Sequence, residues 1–248
     1  MASSKSKHPE TLDAIAEIES KGEQILEWVT ENAKIVLGIS GACLLVAGIY
    51  QYTQSAAENR ANTASAALEA TRADYLAAMG AAPGALIAPE LANPAAGEQI
   101  RSEYRSRFAA VAAEHAGTAS AALASLAEGD LVADAGDVAA GIEIWQAAIT
   151  ALPDGSPIAG LLQQRIAQAH EVTGNWVAAA EAYATAAAVE TYSFRYWAMA
   201  EAARCFLAAE QPERARELAQ RIEAEAPDLE LPDSLRTQLR ELNVGGAS

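Results

Sequence analysis

After Lys34 the chain contains no lysine: Lys5, Lys7, Lys21 and Lys34 are the full complement, and every later basic residue is arginine. Only 17 Lys and Arg stand against 33 Asp and Glu, for a formal net charge of −16. No basic cluster is dense enough to neutralise a run of phosphates, which argues against nucleic acid as a partner. Cysteine is scarce as well. Cys43 lies inside a hydrophobic segment and Cys205 inside a predicted helix far along the chain. A disulfide requires Cα atoms within about 7 Å, so pairing within one chain is not expected, and both read as small buried apolar residues. His8, His115 and His170 are widely separated, with no HExxH-type spacing, and no glycine-rich phosphate loop is present. Cys205 has no nearby histidine in its repeat. The expectation is therefore a non-enzyme, with no catalytic residues, no metal site and no cofactor. His115 and His170 are assigned to helix packing or the surface.

Long alternating runs of β-branched residues are also missing, while alanine supplies roughly a quarter of the chain. Alanine is the strongest helix former and loses almost no side-chain entropy on folding. The expected fold class is all-α.

Residues 35–52 (IVLGISGACLLVAGIYQY) carry no charge. At 1.5 Å per residue, the apolar or small stretch from Ile35 to Tyr50 spans about 24 Å of a roughly 30 Å bilayer core. Trp28 and Tyr52 in the interfaces, with Lys34 snorkelling outward, cover the shortfall. A transmembrane helix is expected here, making the lipid bilayer a partner through residues 35–52. A cleaved signal fits poorly, because 34 mixed-charge residues precede the run. A lipoprotein ending at Cys43 fits poorly too, because Leu44, Leu45, Val46 and Ala47 continue the run beyond it. Four lysines before the span, against Arg60 and Arg72 after it, favour a cytoplasmic N-terminus. Gly38 and Ala42 form a small-xxx-small pair, a face suited to homo-oligomer contact.

Ahead of the span, Leu12, Ile15, Ile18, Ile25, Leu26 and Val29 recur at helical spacing, and the opposite face is acidic. That acidity argues against adhesion to anionic lipid. Beyond the span a helix is expected to run to about Met79. A proline-rich loop follows from Gly80 to Pro94, and helical patterning resumes at Gly97.

From there an internal period appears. Gly136-Asp137, Gly174-Asn175 and Glu210-Gln211 occupy equivalent places, 38 and then 36 residues apart, each followed by a small residue at Gly141, Ala179 and Ala215. Trp145 and Tyr183 take the place of an aromatic wedge, with Ala148 and Ala186 three residues later. Gly129, Ala167 and Ala203 take a close-packing site in the first helices, and Phe206 an aromatic place in the third unit. Pro153 and Pro227 close second helices where the middle unit has Thr191. Two helices approach closely only where one presents Gly or Ala, and a ring on the partner fills the adjoining gap. The pattern predicts a tetratricopeptide-repeat-like solenoid of about three helix pairs, capped by a helix within Leu231 to Asn243.

The expected organisation is an N-terminal cytoplasmic amphipathic segment (1–34) and a transmembrane helix (35–52). A long helix, loop and connecting helix (53–116) come next, then the repeats (117–230) and a cap and tail (231–248). In stacked pairs the first helices line the concave face. The candidate partner-binding groove is therefore Leu123, Leu126 and Asp130, then Leu161, Gln164, Gln168 and Glu171, then Trp197 and Arg204. Apolar and hydrogen-bonding groups in this mixture suit an extended or helical peptide, and Trp and Arg are frequent hot-spot types. Trp197 equally fits a packing role between units.

With Glu31-Asn32-Ala33-Lys34 leading into the span, and HAGTASAALASLAEGDLVADAGDVAAGIEIWQAAI from His115 to Ile149, the chain resembles the ancillary SecYEG translocon subunit family. That resemblance implies a bacterial inner-membrane anchor and a tetratricopeptide-like periplasmic domain. It also implies translocon subunits and periplasmic chaperones as protein partners. The alternative is a structural component of another envelope assembly, in division or outer-membrane biogenesis, on a chain cut near Ser55-Ala56-Ala57 or acylated at Cys43.

Overall fold

A computed structural model describes residues 33–245, with side chains for 45, 46 and 49–240. The chain divides into two compact units, Met1–Glu58 and Asn59–Ser248. In the first unit the described backbone belongs to helix α1 (Ala33–Ala78). Leu45, Val46, Ile49, Tyr50 and Tyr52 on it are between 62% and 76% exposed, so none of the described residues covers these apolar side chains. Among the described residues, no helix is long and apolar enough to cross a membrane. Most side chains of the expected span 35–52 lie outside the described residues, as do Cys43 and the amphipathic segment ahead of the span.

The second unit is all-α among the described residues. Its part of α1 ends one residue before Met79, which is itself buried in the turn. Helix α2 (Pro94–Glu114) starts three residues earlier than the sequence pattern places it. Pro94 opens the helix instead of closing the loop, because its missing N–H falls where no intrahelical bond is made. Asn93 caps that end, its Oδ1 accepting from the N–H of Ala95 at 3.1 Å and of Ala96 at 3.4 Å.

Three helix pairs follow: α3 (Ala119–Asp134) with α4 (Val138–Ala151), α5 (Pro157–Val172) with α6 (Trp176–Ala188), and α7 (Arg195–Ala208) with α8 (Pro212–Glu225). The turns fall where the period places them, and all three share one conformation. Gly136, Gly174 and Glu210 have φ of 101°, 74° and 59°. This left-handed geometry suits the two glycines and strains the glutamate. Asp137 and Asn175 then cap their second helices by accepting from Ala140 N–H at 3.1 Å and Ala178 N–H at 3.3 Å. Gln211 makes no such bond, and Pro212 opens α8 without it.

Packing inside each pair follows the steric pattern. A Cβ on Gly141 would meet the Gly129 carbonyl oxygen at 2.9 Å, and one on Gly129 would meet the Trp145 indole nitrogen at 2.2 Å. Trp145 is only 1% exposed, and its Nε1 donates to the Leu126 carbonyl at 3.2 Å, so the buried indole is satisfied. In the later units Ala167, Ala179, Ala203 and Ala215 are buried at the equivalent places, beside Tyr183 and Phe206. One wedge has no counterpart in the sequence pattern. Tyr192, in the link to the third unit, lies so close to Gly160 of α5 that a Cβ there would stand 2.4 Å from its ring. Nearby, Thr191 donates its hydroxyl to the Gly155 carbonyl of the preceding link. Helix α9 (Asp233–Gly245) closes the stack, burying Leu235 and Leu239.

Candidate functional site

The groove residues lie on the first helices at spacings that keep each set on one face. Leu123, Leu126 and Asp130 belong to α3; Leu161, Gln164, Gln168 and Glu171 to α5; Trp197 and Arg204 to α7. Separations of three, four and seven residues repeat the helical turn. Leu123 packs on the aromatic cluster of α2, whereas Leu126 and Leu161 pack on the main repeat core.

The polar members do not stand free; Asp130, Glu171 and Arg204 tie one unit to the next, Gln164 meets the link that follows, and Gln168 is held within its own helix. Arg165 Nε reaches Asp130 Oδ1 at 2.6 Å, and Arg165 Nη1 donates to Gln168 Oε1 at 3.2 Å. One unit further, Arg204 donates to Glu171 through Nη2 and to Glu201 through Nε at 2.6 Å. The hydroxyl of Tyr183 donates to the other oxygen of Glu171 at 2.7 Å, and that of Tyr192 donates to Gln164. Asp130–Arg165 and Glu171–Arg204 are thus two rungs of a ladder along the first helices. A third rung on the second helices joins Glu181 to Arg214 at 3.3 Å. Arg165, Glu201, Tyr183 and Tyr192 were absent from the sequence-based set. Arg165 carries a signal in the sequence, an acid followed by an arginine about one repeat later, as in the three rungs at separations of 35, 33 and 33 residues; Glu201, Tyr183 and Tyr192 carry none.

The electrostatics show that these groups share a partly dry surface. Burial raises the Asp130 carboxyl above its ordinary range, and the neighbouring Arg165 only partly offsets this. Burial, followed by the bond to Glu171, pushes the Tyr183 phenol far above its usual value. Burial opposes the charge on Arg204, yet its hydrogen bonds to Glu171 and Glu201 outweigh that and raise its pKa. Behind them burial pushes the Cys205 thiol up to about 12, leaving it protonated and inert. Burial lowers the pKa of the half-buried His170. Among the described residues, no group of three or more His, Cys, Asp or Glu could hold a metal ion. Of the groove side chains, Trp197 has the largest free surface, at 36% exposed, two helical turns along α7 from Arg204. Phe194, three residues earlier and just before α7, is 61% exposed.

No protein-family model matches the chain, and no curated protein matches it either. Solved structures similar to it include nearly identical TPR-like repeats of a kinesin light chain candidate from Podosopora anserina, and a single-substitution form of the same repeats. Each is 17% identical and aligns over 60% of this chain, covering 91% and 90% of its own length with a TM-score of 0.42. The repeat assignment rests on the shared turns, the small-residue contacts and the inter-unit ladder.

Proposed function

We propose that the protein is a non-enzymatic, membrane-anchored scaffold that binds protein partners along the groove formed by α3, α5 and α7. The observation that carries the binding role is the exposure of Trp197 and Phe194 beside α7, while Asp130, Gln164 and Glu171 of the same candidate set are held in bonds that reach the next unit or its link. A rigid floor with an exposed aromatic suits a peptide anchor, because the surface that must be ordered on binding is already ordered. Repeat solenoids offer extended concave surfaces of this kind.

Support for the anchor comes from the uncharged run 35–52 and from the uncovered Leu45, Val46 and Ile49 within it. A water-exposed helix with this much apolar surface calls for a bilayer or a protein cover. The lysine bias before the run supports a cytoplasmic N-terminus, with the Asn59–Ser248 unit on the periplasmic side. The resemblance carried by residues 31–34 and 115–149 supports translocon subunits and periplasmic chaperones as partners.

Crosslinking in native membranes, read by mass spectrometry, tests the partner assignment. Adducts with translocon and chaperone proteins are expected, and their absence from a membrane-integrated chain overturns it. A mature chain cut near Ser55, or acylated at Cys43, replaces it with the envelope-assembly alternative.

A further inference from the structure

Within the Asn59–Ser248 unit, α1 meets α2 through rings. Tyr75 lies 5.4 Å from the Tyr104 ring and 6.2 Å from that of Phe108, edge-on to the latter. This spacing leaves a cavity of about 730 Å³ between the end of α1, the 80–93 loop, α2 and α3. Leu68, Phe108, Leu123 and Leu131 contribute its apolar lining, and the loop residues Leu86 and Ile87 belong to its wall. Yet Leu86 and Ile87 are 79% and 82% exposed. Their loop is held at both ends, by buried Met79 and by an ion pair from Arg101 to Glu90 at 3.7 Å. Two large aliphatic side chains are therefore displayed from this segment beside the recess, with none of the described residues covering them.

Charge identifies what fits. The lining brings five carboxylates (Glu69, Glu90, Glu98, Asp130 and Asp134) against two guanidinium groups (Arg72 and Arg101). Arg101 is engaged by Glu90 and Glu98, and Asp130 by Arg165. Glu69 and Asp134 then remain against Arg72, so the rim stays net acidic, on a chain whose formal charge is −16. An anionic lipid surface is repelled by such a rim, and so is a second copy of the chain. We propose that this cavity docks an amphipathic segment of a partner protein, with apolar side chains seated against Leu86, Ile87 and the cavity floor and flanking Lys or Arg on the acidic rim. The cavity lies within the roughly 300–1,000 Å³ range of ligand pockets, which leaves room for a few side chains of a helix. The inference rests on the protein-binding reading in taking a polypeptide as occupant, and it shares Leu123, Leu126 and Asp130 with the groove.

The test uses the full chain in phosphatidylcholine nanodiscs, with empty nanodiscs as the blank. Fluorescence anisotropy follows a labelled amphipathic Leu/Lys peptide and its Leu/Glu counterpart. Saturable binding of the Leu/Lys peptide is expected, weakened by added salt and roughly tenfold weaker in Leu86→Asp/Ile87→Asp. Charge reversal with Glu69→Lys/Asp134→Lys, which leaves the Arg101–Glu90 pair in place, gives an independent variant, expected to invert the preference toward the Leu/Glu peptide. Equal binding of the two peptides by the unaltered chain overturns the proposal, as does binding indifferent to both double variants. Self-association that the Leu86→Asp/Ile87→Asp change abolishes also overturns it, by making a second copy the occupant. Adsorption to anionic vesicles that the same change abolishes overturns it in favour of lipid. Partner crosslinks formed from position 197 report on the groove separately, so failure at the cavity and failure at the groove are told apart.

Discussion

Replacing Gly129 with alanine puts the repeat rule and the local geometry in direct conflict. The second and third units carry Ala167 and Ala203 at this site, so the period recommends alanine. Helix propensity recommends it too, by about 1 kcal/mol. The contacts predict the reverse. An alanine Cβ would stand 2.2 Å from Trp145 Nε1 and 2.7 Å from Cε2, and Trp145 is only 1% exposed. Overpacking of this kind costs about 1–3 kcal/mol. Displacing the indole also breaks its bond to the Leu126 carbonyl, a further loss of about 1 kcal/mol. After subtracting the propensity gain, the net expectation is a destabilisation of about 2 kcal/mol, or roughly 4–8 °C in melting temperature for a unit of this size. Thermal unfolding of the full chain, followed by circular dichroism, reads it. Trp145→Tyr should rescue the loss, because Tyr183 sits with Ala167 in the next unit, and the double-mutant cycle should show favourable coupling above about 1 kcal/mol. A Gly129→Ala variant as stable as the parent, or a coupling of zero, refutes the close approach.

Glu210→Gly combined with Gln211→Asp should stabilise the third unit by about 1–2 kcal/mol, by relieving the left-handed glutamate and restoring a capping acceptor; urea denaturation checks it. Asp130→Asn tests the pH linkage. Burial raises the carboxyl pKa in the fold, so the protonated form is favoured there, and Asp130's contribution to stability is full below its ordinary value of 3.8 and lost as pH rises through the folded value. The asparagine variant cannot take the charge, so its stability should lack the fall that Asp130 gives the parent as pH rises from about 3 toward neutrality, as thermal melts of both chains across pH will read. Cys205 should resist iodoacetamide in the folded chain and react once urea unfolds it, with peptide mapping separating it from Cys43.

What the sequence made legible was whatever one steric demand imposes three times. Gly136, Gly174 and Glu210 stand at one turn, and Gly141, Ala179 and Ala215 at one contact, so their recurrence is visible without coordinates. The ladder was not legible, because Asp130–Arg165 and Glu171–Arg204 join different units and look on their own helices like ordinary surface charges. Gly160 was missed because the ring that fills its gap comes from Tyr192 in a link, outside the helical period. Pro94 fits the end of the loop as well as the start of α2, because a proline that opens a helix looks the same in sequence as one that ends a helix. The cavity beside Leu86 depends on how far aromatic stacking holds α1 from α2, and no residue spacing encodes that distance.

The scaffold role turns on whether the open edge of the groove touches another protein. A photocrosslinking amino acid at Trp197 in the full chain, irradiated in native membranes, addresses this directly, with the same group at the exposed Gln146 on α4 as control. Discrete protein adducts from position 197 that do not form from position 146 are the expected result. No adducts from 197, or the same adducts from both positions, would contradict a binding groove along the first helices.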